Sequence, residues 1–218
     1  IAREINKQGL KVRWWTMARL DPGFTRRIFA TAFKAGLRQI NFGFESANDR
    51  VCDLLNKGNR RQTSERVIRD CSRAGIRVDL QTMIGLPNES LQDGLETVDF
   101  LISNKESIDH ATFNIYYLTP SNHIYNDPGR YNIRYPRRNR LPFRFFMPFK
   151  NLAGMSKHDA QLLQNIYLAL VFRGNKKNER EIKVSKKIEK GVLKFSLCGD
   201  KITMGFERDL AAGAVYCT

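Results

Sequence analysis

Residues 76–89, with the sequence IRVDLQTMIGLPNE, contain the pattern that decides the fold. The apolar residues Val78 and Leu80 alternate with the polar residues Asp79 and Gln81, which is the period-two alternation of a β-strand. The Leu-Pro step that follows ends the strand and leads into a segment with helical periodicity. We therefore predict a strand with one apolar and one polar face, followed by a helix.

The same strand–helix unit recurs along the first half of the chain. We predict strands over 11–18, 38–44, 76–84 and 111–118, each followed by a helix or a turn. Strands that alternate with helices favour a parallel sheet with right-handed crossovers, and hence an α/β fold. An antiparallel sheet with one solvated face is the alternative, although it does not require helical crossovers.

Capping residues predict where the helices begin. Asp21 precedes a proline that suits a first helical turn, and Ser46 stands three residues before Asp49 in the spacing of a capping box. Ser156 predicts the start of a later helix, which should run to about Phe172.

The predicted strands are apolar on one side only. Buried parallel strands usually read as continuous apolar runs, and a packed barrel fills its centre with branched apolar residues. Here the second face is polar, which favours a wide or open barrel with a ligand in its lumen. We expect this face to bring the following side chains to one cavity: Asn41, Glu45, Gln81 and Asn114.

The chain after the fourth strand changes character. Residues 121–155 are rich in Pro, Arg and Asn and predict a long surface loop, so that 1–120 and 156–218 form separate parts of the chain. The last part should contain a helix and a small hairpin, with strands near 192–198 and 201–206.

Most of the net charge of +15 lies in the C-terminal half. Residues 130–150 carry seven basic side chains and no acidic ones, interleaved with tyrosines and phenylalanines. Arginines that contact phosphates and aromatics that stack on unpaired bases make RNA one partner for this basic loop. An acidic peptide or an anionic membrane surface would use the same charges, and a solvated loop without a partner is equally compatible. The lysine-rich stretch 176–190 lacks aromatics and predicts a solvated helix or linker.

The four cysteines, Cys52, Cys71, Cys198 and Cys217, form no CxxC pair. Their scatter is typical of free thiols in a reducing cytoplasm, and a metal site built from all four is the alternative. No apolar run reaches the roughly 20 residues that a transmembrane helix needs. We therefore expect a cytoplasmic protein without a transmembrane segment.

Five short motifs follow the predicted strands, at the ends where α/β enzymes place ligands. In chain order they are RLD at 19–21, GFES at 43–46, NKG at 56–58, MIGLPNE at 83–89 and LTP at 118–120. Together they resemble the second half of the radical S-adenosylmethionine (SAM) barrel, in the branch whose members often carry a cobalamin-binding domain upstream. The resemblance implies a partial (β/α) barrel of about four of six strand–helix units with a small C-terminal α+β extension.

One motif of that family is absent from this sequence. Its members hold a [4Fe–4S] cluster through CxxxCxxC, which this chain lacks. The resemblance therefore places the cluster ligands and the first two strands before Ile1, in the missing N-terminal part of the same barrel. The complete protein would then generate a 5′-deoxyadenosyl radical, or transfer methyl groups if cobalamin is used, whereas this segment alone should not cleave SAM. The rival interpretation is a non-catalytic module on a barrel remnant that binds nucleic acid or another anionic ligand.

The resemblance assigns cofactor-binding roles to several charged and polar residues, and it assigns no catalytic residue and no metal ligand. Glu45 would accept hydrogen bonds from both ribose hydroxyls of SAM, and Lys57 would meet the methionine carboxylate, so that the two hold opposite ends of the ligand. Arg19 is a second candidate for anion binding, and Asn114 faces the same lumen.

The remaining assignments concern the adenosine part of SAM. Gln81 would reach the ribose or the methionine portion, and Ile84, Gly85 and Leu86 would form the edge that binds adenine. A glycine there would let a flat base approach the backbone closely. Leu118 would close the adenosine side of the cavity.

Overall fold

Four parallel strands form the centre of the first part of the molecule. They lie side by side in chain order, and each pairs in parallel with the next. The strands are β1 (Trp14–Arg19), β2 (Leu37–Glu45), β3 (Arg77–Ile84) and β4 (His110–Ile115). The predicted parallel α/β sheet is confirmed, and the antiparallel alternative is wrong.

The computed structural model forms two compact units, Ile1–Tyr167 and Leu168–Thr218. It describes residues 1–135 and 146–174 and four later strands, with side chains described as far as Leu168. Most arginines of the predicted basic loop, the lysine-rich stretch up to residue 186 and the turn of the predicted hairpin lie outside the described residues.

Helices connect the strands and follow them. They are α1 (Ala2–Lys7), α2 (Arg26–Lys34), α3 (Asp49–Leu54), α4 (Arg61–Arg73), α5 (Leu91–Ser103), a 3-10 turn (Lys105–Ser107), α6 (His123–Asn126) and α7 (Lys157–Gly174). No described helix is long and apolar enough to cross a membrane.

Two helices begin later than their capping signals predict. Thr25 caps α2 in place of the predicted Asp21. The carboxylate of Asp21 accepts a hydrogen bond from the backbone N–H of Gly23 at 2.7 Å and closes a local turn. Asn48, rather than Ser46, caps α3. A residue with a short polar side chain can close a turn or cap a helix, and sequence spacing does not separate the two.

One face of the sheet packs against the helices. Phe42, Phe44 and Leu80 are wholly buried, and Phe44 stacks on Phe100 of α5 with ring centroids 4.7 Å apart. Burying a large apolar side chain contributes roughly 1.5–3 kcal/mol. This core fixes the strand register and hence the positions of the residues at the strand ends.

The other face of the sheet is open. Gln81 and Asn114 are exposed on it, as are Trp15 and Met17 of β1, with 64% and 61% of their surface accessible. Four strands do not close a barrel, so the predicted polar face exists as an open surface. The expected gathering of these polar side chains around one ligand cavity stays a prediction.

The two edges of the sheet differ. At β4 the side chains of α7 occupy the outward carbonyls: Gln164 Nε2 donates to Phe113 O at 2.6 Å, and the Tyr167 hydroxyl donates to Ala111 O at 3.3 Å. Among the described residues, β1 has no strand partner on its outer side. The sheet is therefore capped at β4 and open to extension at β1.

The segment after β4 is more ordered than the predicted surface loop. It contains α6 and a two-stranded ladder of β5 (Ile133–Arg134) and β6 (Lys150–Asn151). Its residues join the end of the sheet in an apolar cluster, which we call the rim cluster: Val51, Leu55, Leu86, Tyr116, Leu118, Ile124, Tyr131, Ile133 and Met147. Tyr116, which directly follows the last β4 residue Ile115, is buried in this cluster.

The second unit contains a four-stranded antiparallel sheet where a two-stranded hairpin was expected. Its strands, in the order β10-β9-β8-β7, are β7 (Lys187–Glu189), β8 (Val192–Ser196), β9 (Thr203–Arg208) and β10 (Val215–Cys217).

Candidate functional site

The carboxyl end of β2 turns sharply at Glu45. This residue has φ 65°, and the backbone N–H of Ser46 donates to Phe44 O at 2.9 Å across it, which defines a three-residue turn. The pairing of β2 with β3 also shifts register between Gly43 and Glu45, as in a β-bulge. A positive φ at a non-glycine residue costs about 1–3 kcal/mol, so the surroundings must hold Glu45 in this conformation.

The carboxylate of Glu45 is nearly buried and has one oxygen engaged. Lys57 Nζ donates to Glu45 Oε1 at 2.8 Å, whereas Oε2 has no hydrogen-bond partner among the described residues. The two charged groups are in direct contact, so they do not hold opposite ends of one ligand in this arrangement. The structure thus shows one Glu45–Lys57 ion pair, and the expected contacts of each residue with a ligand stay predictions.

The loop between α3 and α4 brings Lys57 to this position. Asn56 and Gly58 adopt positive φ on either side of the lysine, and Lys57 N donates to Cys52 O at 3.0 Å. The Arg19 guanidinium donates to Lys57 O. Arg19, expected as an anion-binding residue, therefore ties the loop to the end of β1.

Asn59 is a site residue that the sequence reasoning missed. Its side chain is buried, and Nδ2 donates to Gly43 O at 3.1 Å and to Phe44 O at 3.2 Å. The asparagine directly after the NKG motif was the available signal, but a loop asparagine is usually read as a turn former.

Strand register places Gln81 beside this group. Arg19, Gly43 and Gln81 are neighbours in one row across the open face. A Cβ on Gly43 would lie 3.5 Å from Glu45 Oε1, so the carboxylate extends over the glycine toward that row. Asn114 lies beyond the row, paired with Met83. The structure thus brings Arg19, Glu45, Lys57 and Gln81 together, with Asn114 further along the same face.

The loop after β3 is organised by Glu89, a second residue that was not assigned a role. Glu89 Oε2 accepts hydrogen bonds from Gly85 N at 2.7 Å and Leu86 N at 2.9 Å, while Oε1 is buried without a partner in the described chain. Burial raises the pKa of Glu89 to about 8, and this outweighs the two N–H donors, which lower it.

Most side chains of the edge that was predicted to bind adenine belong to the hydrophobic core. The side chains of Ile84, Leu86 and Leu118 are wholly buried, and the last two belong to the rim cluster. Gly85 has φ 78°, and an added Cβ would lie 3.0 Å from Ala160 Cβ of α7. The glycine is explained by positive φ and helix packing.

The cysteines within the first unit do not fit an iron–sulfur cluster. Cys52 and Cys71 are buried on different helices, and burial raises the pKa of their thiols to about 11 and about 12. No three His, Cys, Asp or Glu side chains converge as a metal site in the described part of the chain. Cys198 is outside the described residues, and so is the side chain of Cys217.

Comparison with known proteins agrees with this architecture. Residues 2–101 match the radical SAM superfamily. This segment covers β1, β2, β3 and most of α5, and it includes the group around Glu45. The similarity to the radical SAM superfamily therefore lies in the first part of the chain, where the parallel sheet forms.

The chain is 27% identical over 115 residues to an uncharacterised methyltransferase of Pyrococcus horikoshii, a match that covers 53% of this chain and 24% of the relative. The coproporphyrinogen III oxidase HemN of Escherichia coli, a radical SAM enzyme, aligns with a TM-score of 0.56 at 10% identity, over 85% of this chain and 38% of HemN. Elp3 from Methanocaldococcus infernus aligns with a TM-score of 0.50 at 14% identity, over 75% and 42% of the two chains. The chain thus spans about a quarter of the length of the Pyrococcus relative.

Proposed function

We propose that this chain is the SAM- and substrate-binding part of a radical SAM enzyme whose cluster-binding strands lie elsewhere in the complete protein. The observation that carries the proposal is Glu45, a nearly buried carboxylate on a strained turn, which pairs with Lys57 through Oε1 and has no partner for Oε2 among the described residues. Ligands of α/β enzymes bind at the carboxyl ends of parallel strands, which is where Glu45 stands.

In this proposal, Glu45 Oε2 accepts a hydrogen bond from the ribose diol of SAM, and Lys57 holds the carboxylate in place through Oε1. A hydrogen bond to a charged acceptor is stronger than a neutral one and gains further where water is partly excluded. Gln81, in the neighbouring row, is positioned to contact the ribose or the methionine portion. The methionine carboxylate is then left to residues outside this ion pair.

The open edge of the sheet supports a partial barrel. Pairing of further strands with β1 would cover the exposed Trp15 and Met17 and enclose the polar face. When bound by those strands, a [4Fe–4S] cluster supplies the electron that cleaves SAM, and cobalamin, if present, carries a methyl group. The residues of this chain bind, orient and shield the ligand from water. The name of the Pyrococcus relative supports methyl transfer.

The test measures the affinity of the complete protein for S-adenosylhomocysteine by calorimetry. Glu45→Gln removes the charged acceptor, so we expect binding to weaken by about ten- to a hundredfold. Glu65→Gln is the matched control, because Glu65 also pairs with a cation, Arg69, but on the exposed face of α4. Equal affinity of wild type and Glu45→Gln would contradict the proposal.

A second candidate is a module that binds nucleic acid or another anionic ligand. It is favoured by one surface: the exposed rings of Tyr117 and Phe146 lie 5.3 Å apart, with Lys157 Nζ 5.5 Å from the Tyr117 ring. Phe146 directly follows the arginine-rich part of the sequence, so RNA or an acidic peptide would meet both charge and aromatic rings. This candidate predicts no effect of Glu45→Gln on ligand binding.

A further inference from the structure

We propose that Asn59 is a positioning residue that holds the end of β2 so that Glu45 presents Oε2 to the ligand. This inference rests on the proposed function, because it names a residue that acts through Glu45 and has no expected contact with the ligand. The inference is based on the hydrogen bonds that the Asn59 side chain donates to the end of β2.

The amide of Asn59 is placed at the irregularity of β2. Nδ2 donates to Gly43 O at 3.1 Å and to Phe44 O at 3.2 Å, and these carbonyls belong to the two residues before Glu45. At this bulge Phe44 lies outside the regular ladder of hydrogen bonds, and its carbonyl accepts from Ser46 N at 2.9 Å as well as from Asn59. A single buried amide that serves both carbonyls stabilises the bent strand end in this form.

The loop that carries Asn59 also controls the other end of the Glu45 side chain. Lys57, two residues earlier, donates to Glu45 Oε1, and Arg19 donates to Lys57 O. One short loop therefore fixes the backbone before Glu45 through Asn59 and the carboxylate through Lys57. Since φ at Glu45 is positive, a strand end without the Asn59 bonds relaxes toward extended backbone, which turns the carboxylate away from Gly43 and Gln81.

A purely structural role for Asn59 makes a different prediction. If Asn59 only stabilises the loop, its removal lowers the free energy of unfolding. Any effect of that removal on ligand affinity is then the same whether residue 45 is Glu or Gln. If Asn59 positions Glu45, the two residues act on affinity as a unit, and their effects are not additive. The ribose diol gives a second readout. Only a correctly placed carboxylate binds a ligand with both ribose hydroxyls more tightly than a ligand that lacks one of them.

The experiment is a double-mutant cycle on the complete protein, with S-adenosylhomocysteine and its 2′-deoxy analogue as probes in calorimetry. We expect Asn59→Ala to weaken binding of S-adenosylhomocysteine by about tenfold and to reduce discrimination against the deoxy analogue. Glu45→Gln with Asn59→Ala should bind no more weakly than Glu45→Gln alone. Asn59→Asp, which turns an acceptor toward two carbonyls, should be at least as damaging as Asn59→Ala.

Asn104→Ala is the matched control, because Asn104 Nδ2 also donates to a backbone carbonyl, Phe100 O at 2.9 Å, but at the end of α5. Its affinity should equal that of wild type. Asn59→Ser, smaller but still a donor, replaces Asn59→Ala if circular dichroism shows that the alanine variant is unfolded. Additive effects of Glu45 and Asn59 would overturn the positioning role, whereas wild-type affinity of Glu45→Gln alone would instead overturn the proposed function.

Discussion

Glu45 and Glu89 are two buried carboxylates in opposite surroundings. Glu45 has a lysine within hydrogen-bond distance, whereas Glu89 accepts only from two backbone N–H groups and keeps Oε1 without a partner in the described chain. The nearest charges to Glu89 are Asp93 and Arg50, and these two pair with each other. Burial therefore dominates the protonation of Glu89, and it favours the neutral acid.

The raised pKa of Glu89 predicts that stability depends on pH. The folded-state pKa of about 8 exceeds the ordinary value of 4.5, so the folded protein binds the proton more tightly than the unfolded chain. The stabilisation that comes from the protonated Glu89 is fully present below about pH 4.5 and is lost as pH rises through 8. Each unit of difference between the folded-state and unfolded-state pKa contributes at most ~1.4 kcal/mol to this loss. Urea unfolding at pH 5 and pH 9 should show this loss in wild type and not in Glu89→Gln.

Glu106→Gln is the control, because its side chain is 89% exposed and should leave the pH dependence of wild type unchanged. If Glu89→Gln lost as much free energy of unfolding as wild type over this range, the carboxyl of Glu89 would not be the titrating group.

The sequence predicted that the charged candidate residues lie near one another, but it did not predict the hydrogen-bond partners of each. The motif order placed Glu45, Lys57 and Gln81 at one sheet end, because strand ends meet at one edge of a parallel sheet. It did not predict the contact of Glu45 with Lys57, since that depends on a positive φ at Glu45 and on the path of the loop. Asn59 was missed for the same reason: its partners are backbone carbonyls, which carry no sequence signal.

The periodicity of the sequence predicted the helices and strands correctly. It predicted the first and last residues of these elements less well. The alternation of β2 and β3 identified the buried face correctly, because burial of one face requires a period of two. The start of α2 depends on which of two nearby residues, Asp21 or Thr25, acts as the cap. The order of residues 121–135 depends on contacts between distant segments, such as Tyr131 in the rim cluster. Local sequence does not encode these contacts.

At the level of elements, α7 packs onto the turn after β3 through Gly85. Gly85→Ala places a Cβ 3.0 Å from Ala160 Cβ in addition to forcing a positive φ, whereas Gly58→Ala meets nothing within 4 Å and forces a positive φ alone. We expect both variants to lose about 1–2 kcal/mol for the backbone, with a further loss for Gly85→Ala from the contact. Chemical unfolding measures both free energies.

Ala160→Gly separates the two contributions to Gly85→Ala. In the Ala160→Gly background, Gly85→Ala should cost no more than Gly58→Ala does in wild type. An unchanged cost in that background would mean that α7 does not pack on this turn as described.

At the level of the whole molecule, the open edge of β1 predicts self-association of the 218-residue chain when it is produced alone. An unpaired strand edge with the exposed Trp15 and Met17 offers backbone and apolar surface to a second copy. Trp15→Lys should shift sedimentation-velocity profiles toward monomer, and Leu152→Lys, at an exposed site outside the sheet, should not. A wild-type chain that stays monomeric at every concentration would contradict an open edge.

The capped edge of β4 has a consequence for any barrel built on this sheet. Ala111 O and Phe113 O already accept from side chains of α7, so a strand that paired with β4 to complete a ring would have to displace both side chains. If further strands pair at β1 instead, we expect a crescent-shaped sheet with a seam beside β4. Under the proposed function, such a seam would admit a substrate from the side, and the size of what reaches Glu45 would not be limited by the diameter of a closed cylinder.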